Sequence, residues 1–311
     1  EVLADGVVEL ADPAGGVGGA VGAARDLGRD PLDDAVRQHL ENRLGTTANR
    51  VTRLASWADI VLPEDITDSL LELTARVRHR KTVYERWGFD RSITTARGIT
   101  ALFQGSPGTG KTMVAGVIAR DLGLELYRVD VSRITSKWIG ETEKNLGSLF
   151  DAAEDGQVML LFDEADSLFG KRTEVKSAVD RYANLEVNYL LQRIESFGGV
   201  TVLTTNMDTS IDPALRRRLA CQIAFWPPEA AERARLWTRM LAARGPVARN
   251  IDVRKLSDHY PEMTGANIRN AVLAAAFLAA AEGTAISQPL LERAAHGEYK
   301  AMGRVLRSGL K

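Results

Sequence analysis

Residues 105–112, with the sequence GSPGTGKT, match the phosphate-binding pattern G-x-x-x-x-G-K-[ST]. This pattern needs glycines so that consecutive backbone N–H groups can curve around a phosphate, a lysine that reaches the β and γ phosphates, and a hydroxyl that binds magnesium. An apolar run at 99–103 predicts a buried strand before the loop, and a helix opening at Gly110 adds its positive N-terminal end. The sequence therefore predicts a site for a nucleoside triphosphate and Mg²⁺. The loop residues predicted to contact the nucleotide are Gly105, Pro107, Gly108, Thr109, Gly110, Lys111, Thr112 and Met113.

Five apolar runs alternate with helical patterns along the middle of the chain, which predicts a parallel sheet with helices on both faces. A helix is predicted before the first strand, from Pro63 toward Trp87. After Pro227 and Pro228 the spacing of apolar residues is helical to the end, so a second, all-helical domain is predicted to begin there. The five predicted strands are 99–103, 124–131, 158–162, 200–205 and 222–225.

The first part of the chain differs in composition from the rest. Residues 11–24 are rich in Gly and Ala and predict a flexible segment. Asp30 as N-cap and Pro31 at the first helical position then open a short helix that carries leucines as far as Leu44. That helix is either an arm that binds a partner or a helix packed on the main body. The predicted division is a flexible segment plus short helix over 1–45, a large α/β domain over 46–227 and a helical domain over 228–311.

Polar residues follow the third and fourth predicted strands. Asp163 and Glu164 come directly after the third strand, at the carboxyl end where open α/β sheets bind ligands. We expect Asp163 to hold magnesium together with Thr112, and Glu164 to be the base that orients a water molecule on the γ phosphate. Asn206 follows the fourth strand and is placed to hold the same water. An acidic pair alone would more often be a helix N-cap, and it is the upstream phosphate loop that favours catalysis.

The composition argues against several classes of partner. Forty Lys and Arg residues against 41 Asp and Glu residues give a formal net charge of -1, so no global field draws the protein to nucleic acid or to an anionic membrane. No apolar run reaches 18 residues, and we expect no membrane span. The single cysteine, Cys221, rules out an internal disulfide framework and favours a reducing, cytoplasmic compartment.

The order of these motifs resembles the AAA clade of the AAA+ ATPases, from about residue 55 to the end of the chain. The phosphate loop, the Asp163-Glu164 pair, Asn206 and the run 212–218 (DPALRRR) follow one another as in that clade. The resemblance implies an α/β fold of the P-loop NTPase type, with three layers and a five-stranded parallel sheet of order 5-1-4-3-2, followed by a helical lid. It also implies a ring, usually a hexamer, with ATP and Mg²⁺ at each subunit interface.

Two further segments resemble nucleotide contacts of the clade. Residues 57–60 (WADI) resemble its adenine-contacting segment, although Val61 replaces the usual glycine. Residues 264–267 (TGAN) resemble the lid segment called sensor 2, where this clade has a small residue instead of arginine. The resemblance therefore implies no catalytic arginine in the lid. The nucleotide contacts that it implies in these segments are Asp59, Ile60, Gly265 and Ala266.

Three adjacent arginines, Arg216, Arg217 and Arg218, end the run 212–218. They could form a solvated basic cluster. The resemblance instead implies that Arg217 and Arg218 are fingers that reach the γ phosphate of the neighbouring subunit, a role suited to a planar and always charged guanidinium. The clade usually has a Gly-containing insertion between its two arginines, which is absent here, so the principal finger among the three stays open.

Residues 136–146 (SKWIGETEKNL) resemble the first pore loop of the clade, which grips an extended polypeptide in the channel of the ring. The resemblance implies that Lys137, Trp138, Ile139 and Gly140 line this pore. Trp138 replaces the commoner Tyr or Phe and keeps a flat apolar surface. The alternative is that Trp138 and Ile139 are ordinary core residues beside a capped helix.

Several stretches, among them WGFD, DEADSLFGKRTEV and GEYKAMGR, resemble the stand-alone AAA ATPases encoded with bacterial contractile injection systems, the phage-tail-like particles. The function implied is ATP hydrolysis by a homohexameric ring that remodels, unfolds or disassembles a protein client threaded through its pore. The alternative is an ATP-dependent assembly scaffold or switch of such a particle, without threading. A nucleic-acid motor is disfavoured by the neutral composition and the aromatic pore loop.

Overall fold

The structure is a computed structural model, and it describes residues 40–41, 43–45, 47–89, 98–130, 141–166, 188–206, 216, 219–241 and 245–304. Six strands form one sheet of order β1-β3-β4-β5-β2-β6. Every neighbouring pair is parallel except β1, which is antiparallel to β3. When the five parallel strands are numbered in the order in which they occur along the chain, they lie across the sheet in the order 5-1-4-3-2. The predicted fold is therefore confirmed. The strands are β1 (Ala48–Arg50), β2 (Ile99–Gly105), β3 (Leu126–Val129), β4 (Met159–Phe162), β5 (Val200–Thr205) and β6 (Cys221–Phe225).

Helices cover the sheet and make up the C-terminal part of the chain. The first of them begins after Pro63 with Glu64 and Asp65 in its first turn and has a basic last turn, so its charges complement the helix dipole. It continues into a π-helical turn, Thr82–Arg86. A short 3-10 turn precedes it at Trp57–Asp59, and residues 188–196 are also helical. The helices are α1 (Glu64–Lys81), α2 (Lys111–Leu122), α3 (Glu141–Gly156), α4 (Ala230–Leu241), α5 (Val253–His259), α6 (Gly265–Glu282) and α7 (Gln288–Ala301).

The sheet is buried on both faces, and β4 shows how. Met159 and Leu161 pack into one apolar cluster, whereas Leu160 and Phe162 pack into the other. Successive side chains of a strand point to opposite faces, so a strand covered on both sides needs an unbroken apolar run. The run at 158–162 therefore fits a central strand, and its carboxyl end leads directly to Asp163.

The short helix predicted before residue 45 is described only at its C-terminal end. Leu40 and Leu44 are 4% and 0% exposed and belong to the same cluster as Leu160 and Phe162. This end of the helix therefore packs on the main body, as one of the two alternatives requires. The Gly/Ala-rich segment at 11–24 lies outside the described residues.

The C-terminal helices have a core of their own, built around Trp237, Ile268 and Leu291. In α6 the buried alanines, such as Ala271 and Ala275, let the neighbouring helices approach closely. This helical part lies beyond β6, as the sequence predicts. None of the helices in the described part of the chain is both long and apolar enough to cross a membrane.

Candidate functional site

The loop between β2 and α2 is shaped by its glycines. Gly108 has φ +79°, a left-handed conformation that side chains rarely adopt. A Cβ atom there would lie 2.6 Å from Thr264 Oγ1 and 2.9 Å from the Ala266 Cβ. The Gly108 carbonyl also accepts a hydrogen bond from the Ala266 N–H at 3.3 Å. The loop backbone is therefore bonded directly to the first turn of α6, and the side chains of Thr264 and Ala266 fill the space that a Cβ atom at position 108 would need.

Lys111 is 7% exposed and lies between this loop and the end of β5. Its Nζ donates hydrogen bonds to the Gly105 carbonyl at 2.7 Å, to the Ser106 carbonyl at 3.0 Å and to Asn206 Oδ1 at 2.9 Å. The sequence predicts both Lys111 and Asn206 as site residues, and the structure brings their side chains into contact. A lysine at this position beside the loop is suited to meet an anionic ligand.

Asp163 accepts hydrogen bonds from hydroxyl groups on two different elements. Thr112 Oγ1 at the start of α2 and Thr204 Oγ1 on β5 donate hydrogen bonds to Asp163 Oδ1, at 2.9 and 2.7 Å. Its other oxygen, Oδ2, lies 3.7 Å from the Arg128 guanidinium. The predicted pair of magnesium ligands, Thr112 and Asp163, therefore lies together. Sequence reasoning missed Thr204 and Arg128.

Glu164 follows with an unusual backbone conformation. Its φ is +53°, in the left-handed region, although it carries a full side chain. For a non-glycine residue this conformation costs roughly 1–2 kcal/mol. The Glu164 N–H donates to Thr204 Oγ1 at 2.9 Å, and the next N–H, of Ala165, donates to the Thr204 carbonyl at 2.8 Å. The side chain of Glu164 is exposed and lines the cavity described below.

Asp166 fixes the end of β5. Its Oδ1 accepts hydrogen bonds from the Thr205 hydroxyl and from the Asn206 N–H, the latter at 3.0 Å. This carboxylate therefore sets the backbone that carries the Asn206 side chain toward Lys111. Sequence reasoning missed Asp166 and Thr205. The sequence signal that could have revealed this contact is the third acidic residue of the run DEAD (163–166), together with the sequence Thr-Thr-Asn (204–206) at the end of the next strand.

An open cavity of about 1830 Å³ is lined by residues at the carboxyl edge of the sheet and by residues of the helical part. Residues from α4, such as Leu236 and Met240, line its far side together with Trp226, and sequence reasoning missed all three. Gly105 accepts a hydrogen bond from Lys111 through its carbonyl oxygen but is not among the residues that line the cavity. The predicted site residues that line the cavity are Asp59, Ile60, Pro107, Gly108, Thr109, Gly110, Lys111, Thr112, Met113, Asp163, Glu164, Asn206, Gly265 and Ala266.

The 3-10 turn at Trp57–Asp59 is held by its own side chains. Asp59 accepts hydrogen bonds from the Ser56 hydroxyl at 2.6 Å and the Ser56 N–H at 2.8 Å. These bonds hold the pKa of the Asp59 carboxyl below its ordinary value. The Arg239 guanidinium of α4 donates to the Ile60 carbonyl at 2.6 Å, which ties the turn to the helical part.

Some predicted site residues lie outside the described residues. These are the arginines Arg217 and Arg218 and the pore residues Lys137, Trp138, Ile139 and Gly140. Arg216 is described and exposed. The roles of these residues stay predictions.

A strand followed by a glycine loop that ends in Lys111 and Thr112, together with a carboxylate at the end of another parallel strand of the same sheet, defines the P-loop NTPases as a class. Residues 101–227 match the family model described as "ATPase family associated with various cellular activities (AAA)". They therefore form an AAA ATPase domain, which confirms the resemblance at the level of the family. ATP and Mg²⁺, the predicted cofactors, are the ones that this family uses.

Curated relatives include AAA proteins from archaea and animals. Protein SAV of Sulfolobus acidocaldarius is 30% identical over 68% of this chain and 27% of its own length. The cell division cycle protein 48 homolog of Archaeoglobus fulgidus is 32% identical over 54% of this chain and 23% of its own length. Vacuolar protein sorting-associated protein 4B of Mus musculus is 28% identical over 78% of this chain and 54% of its own length.

The chain thus spans between about a quarter and about half of the length of these three relatives. The narrower resemblance to the ATPases of contractile injection systems is not confirmed by these comparisons.

Proposed function

We propose that this chain is a Mg²⁺-dependent ATPase that converts ATP and water to ADP and phosphate. The observation that carries the proposal is the convergence of Lys111, Thr112, Asp163, Glu164 and Asn206 on one cavity. Each residue comes from the carboxyl end of a parallel strand or from the helix that follows it, where α/β sheets bind their ligands.

The residues present fit a magnesium ion. Thr112 Oγ1 and Asp163 Oδ1 lie 2.9 Å apart and offer the oxygen ligands that Mg²⁺ prefers. These two residues would hold the ion beside the loop. When bound, Mg²⁺ neutralises charge on the phosphate oxygens.

The remaining residues supply binding and orientation. Lys111 and the loop N–H groups bind the phosphates, because a fixed cation and oriented amide dipoles stabilise the charge that moves during phosphoryl transfer. The Glu164 carboxylate, exposed in the cavity, orients the attacking water and accepts its proton. Asn206, held by Asp166, helps to place the same water. The base of the nucleotide is contacted by Asp59, Ile60, Gly265 and Ala266.

The assembly and the client are also parts of the proposal. The large ATPase subdomain is residues 46–227 and the lid is residues 228–311, a division supported by the residues of both ranges that line the cavity. The chain forms a homohexamer in which Arg217 and Arg218 reach the neighbouring nucleotide. The ring couples hydrolysis to remodelling of a protein client threaded past Lys137, Trp138, Ile139 and Gly140, in the cytoplasm, with a phage-tail-like particle as a candidate partner. The alternative is an assembly scaffold or switch of such a particle that threads nothing.

The variant Glu164→Gln tests the catalytic assignment, because the amide keeps the shape of the side chain and removes the base. Phosphate release should fall by roughly 10² to 10⁴-fold while ATP binding, measured by equilibrium titration, is retained. Glu282→Gln, the same change at an exposed position at the end of α6, should leave turnover unchanged. Equal turnover in wild type and Glu164→Gln would contradict the proposal.

A further inference from the structure

Thr204 joins the two carboxylate residues at the end of β4. It is 1% exposed. Its hydroxyl donates its single proton to Asp163 Oδ1 at 2.7 Å and accepts the N–H of Glu164 at 2.9 Å. One side chain on β5 therefore bonds to both members of the acidic pair.

The backbone at this turn shows why the bond matters. The direction of the Glu164 side chain depends on its φ and ψ, and its φ of +53° lies in a region that residues with a Cβ rarely populate. Such a conformation persists only where the surroundings hold it. Two hydrogen bonds to Thr204 hold the backbone here. The Thr204 hydroxyl accepts one from the Glu164 N–H, and the Thr204 carbonyl accepts the other from the Ala165 N–H at 2.8 Å.

We propose that Thr204 is a positioning residue for hydrolysis, whose hydroxyl fixes the orientation of the Asp163 carboxylate relative to the Glu164 side chain. The inference rests on the proposed function, since it concerns the same reaction. Thr204 acts through these two residues and has no acid or base role. Without the hydroxyl, the loop and Lys111 still bind ATP. The Glu164 side chain, however, points away from the attacking water for part of the time.

The strand also provides a matched control. Thr201 lies on β5, is likewise 1% exposed, and its Oγ1 has no hydrogen-bond partner among the described residues. Thr201→Val and Thr204→Val therefore remove the same atoms from the same strand, and only the second removes a bonded hydroxyl.

The test compares Thr204→Val, Thr204→Ser and Thr201→Val in ATPase assays and thermal unfolding. Thr204→Val should lower kcat by about tenfold, the effect expected for one hydrogen bond to a charged group, while KM for ATP stays the same. Thr204→Ser keeps the hydroxyl and should keep kcat, although loss of a buried methyl lowers its Tm. Thr201→Val should match wild type in kcat. Thr204→Ser should therefore lose Tm without losing kcat, a separation that a merely structural role would not produce.

Two results would overturn the inference while leaving the proposed function in place: an unchanged kcat in Thr204→Val, or an equal loss of kcat in Thr204→Ser. If Thr204→Val fails to fold, Thr204→Ala replaces it, and the comparison with Thr204→Ser decides in the same way. Absence of turnover in the wild-type ring would instead contradict the proposed function, and the inference with it.

Discussion

The N–H of Ala266 donates a hydrogen bond to the carbonyl of Gly108 at 3.3 Å, so the first turn of α6 rests on the phosphate-binding loop. The contact joins the helical part of the chain to the part that the sequence predicts to bind phosphate. Because this hydrogen bond joins the two backbones directly, a shift of the loop on ligand binding would also move the first turn of α6. The same closeness leaves no room for a Cβ atom at position 108.

We expect Gly108→Ala to weaken nucleotide binding strongly. Its Cβ would lie 2.6 Å from Thr264 Oγ1, so either the loop or the start of α6 must move. A good control is Gly123→Ala, because Gly123 also has a positive φ, +68°, and a Cβ there meets nothing within 4 Å. Both variants should lose about 1–2 kcal/mol of free energy of unfolding from backbone strain. Only Gly108→Ala should also lose affinity in a titration with a fluorescent ATP analogue, and equal affinities would contradict the argument.

Cys221 gives a prediction about pH. Burial raises the pKa of its thiol to about 11, although the nearby Arg76 acts in the opposite direction. In the unfolded chain the thiol ionises near its ordinary pKa of about 8.5. The pKa of Cys221 is higher in the folded state than in the unfolded state. The contribution of this thiol to the free energy of unfolding is therefore complete below about pH 8.5 and is lost as the pH rises toward about 11.

Alkylation by iodoacetamide measures this directly, since the thiolate is the reactive form. At pH 8 the native protein should react far more slowly than the protein in denaturant, and its rate should keep rising to well above pH 9. In the variant Cys221→Ser, the loss of unfolding free energy between pH 8.5 and 11 should be smaller than in wild type. Fast native alkylation at pH 8 would show that the partial burial of this side chain does not hold its thiol in the neutral form.

The sheet could be predicted largely because its central strands are buried on both faces and therefore apolar throughout. β5 was predicted with its observed bounds, Val200–Thr205. β1 was missed because its three residues, Ala48–Arg50, show no apolar run. Arg50 is held by Glu125, through a contact at 2.7 Å between residues far apart in sequence, and no local pattern reveals such a contact.

The site shows the same limit. Lys111, Asp163 and Asn206 could be predicted because parallel strands end at one edge of the sheet, whichever strands are neighbours. Thr204 could not, because its bond to Asp163 depends on the register in which Phe162 pairs with Leu203. A shift of one residue would turn the Thr204 hydroxyl to the other face of the sheet.

A mixing experiment tests the proposed trans-acting arginines. Glu164→Gln subunits keep their fingers but lack the base, whereas subunits with both Arg217→Ala and Arg218→Ala keep the base but lack the fingers. If the fingers act across an interface, mixing the two inactive proteins should restore part of the ATPase activity. Activity per subunit of wild type should also rise with protein concentration. Full turnover by a monomeric sample, or no recovery on mixing, would contradict the role in trans.

Trp138 is outside the nucleotide site in the proposed function, and its substitution should affect coupling more than hydrolysis. Trp138→Ala removes the flat apolar surface that would press on a threaded chain, while Lys111, Asp163 and Glu164 are unchanged. Basal ATP hydrolysis and ring formation should therefore be retained, whereas client-stimulated hydrolysis and remodelling should be lost. Trp138→Tyr should restore most of both, because it keeps an aromatic ring.

Two other outcomes have distinct meanings for Trp138. A large loss of Tm in Trp138→Ala would show that the indole is part of the core, as the alternative from the sequence holds, because removing a buried aromatic side chain costs about 3–5 kcal/mol. If Trp138→Ala folds, assembles and remodels its client like wild type, threading is wrong. The ring would then act as a scaffold or switch, since hydrolysis would be used without a grip on the chain.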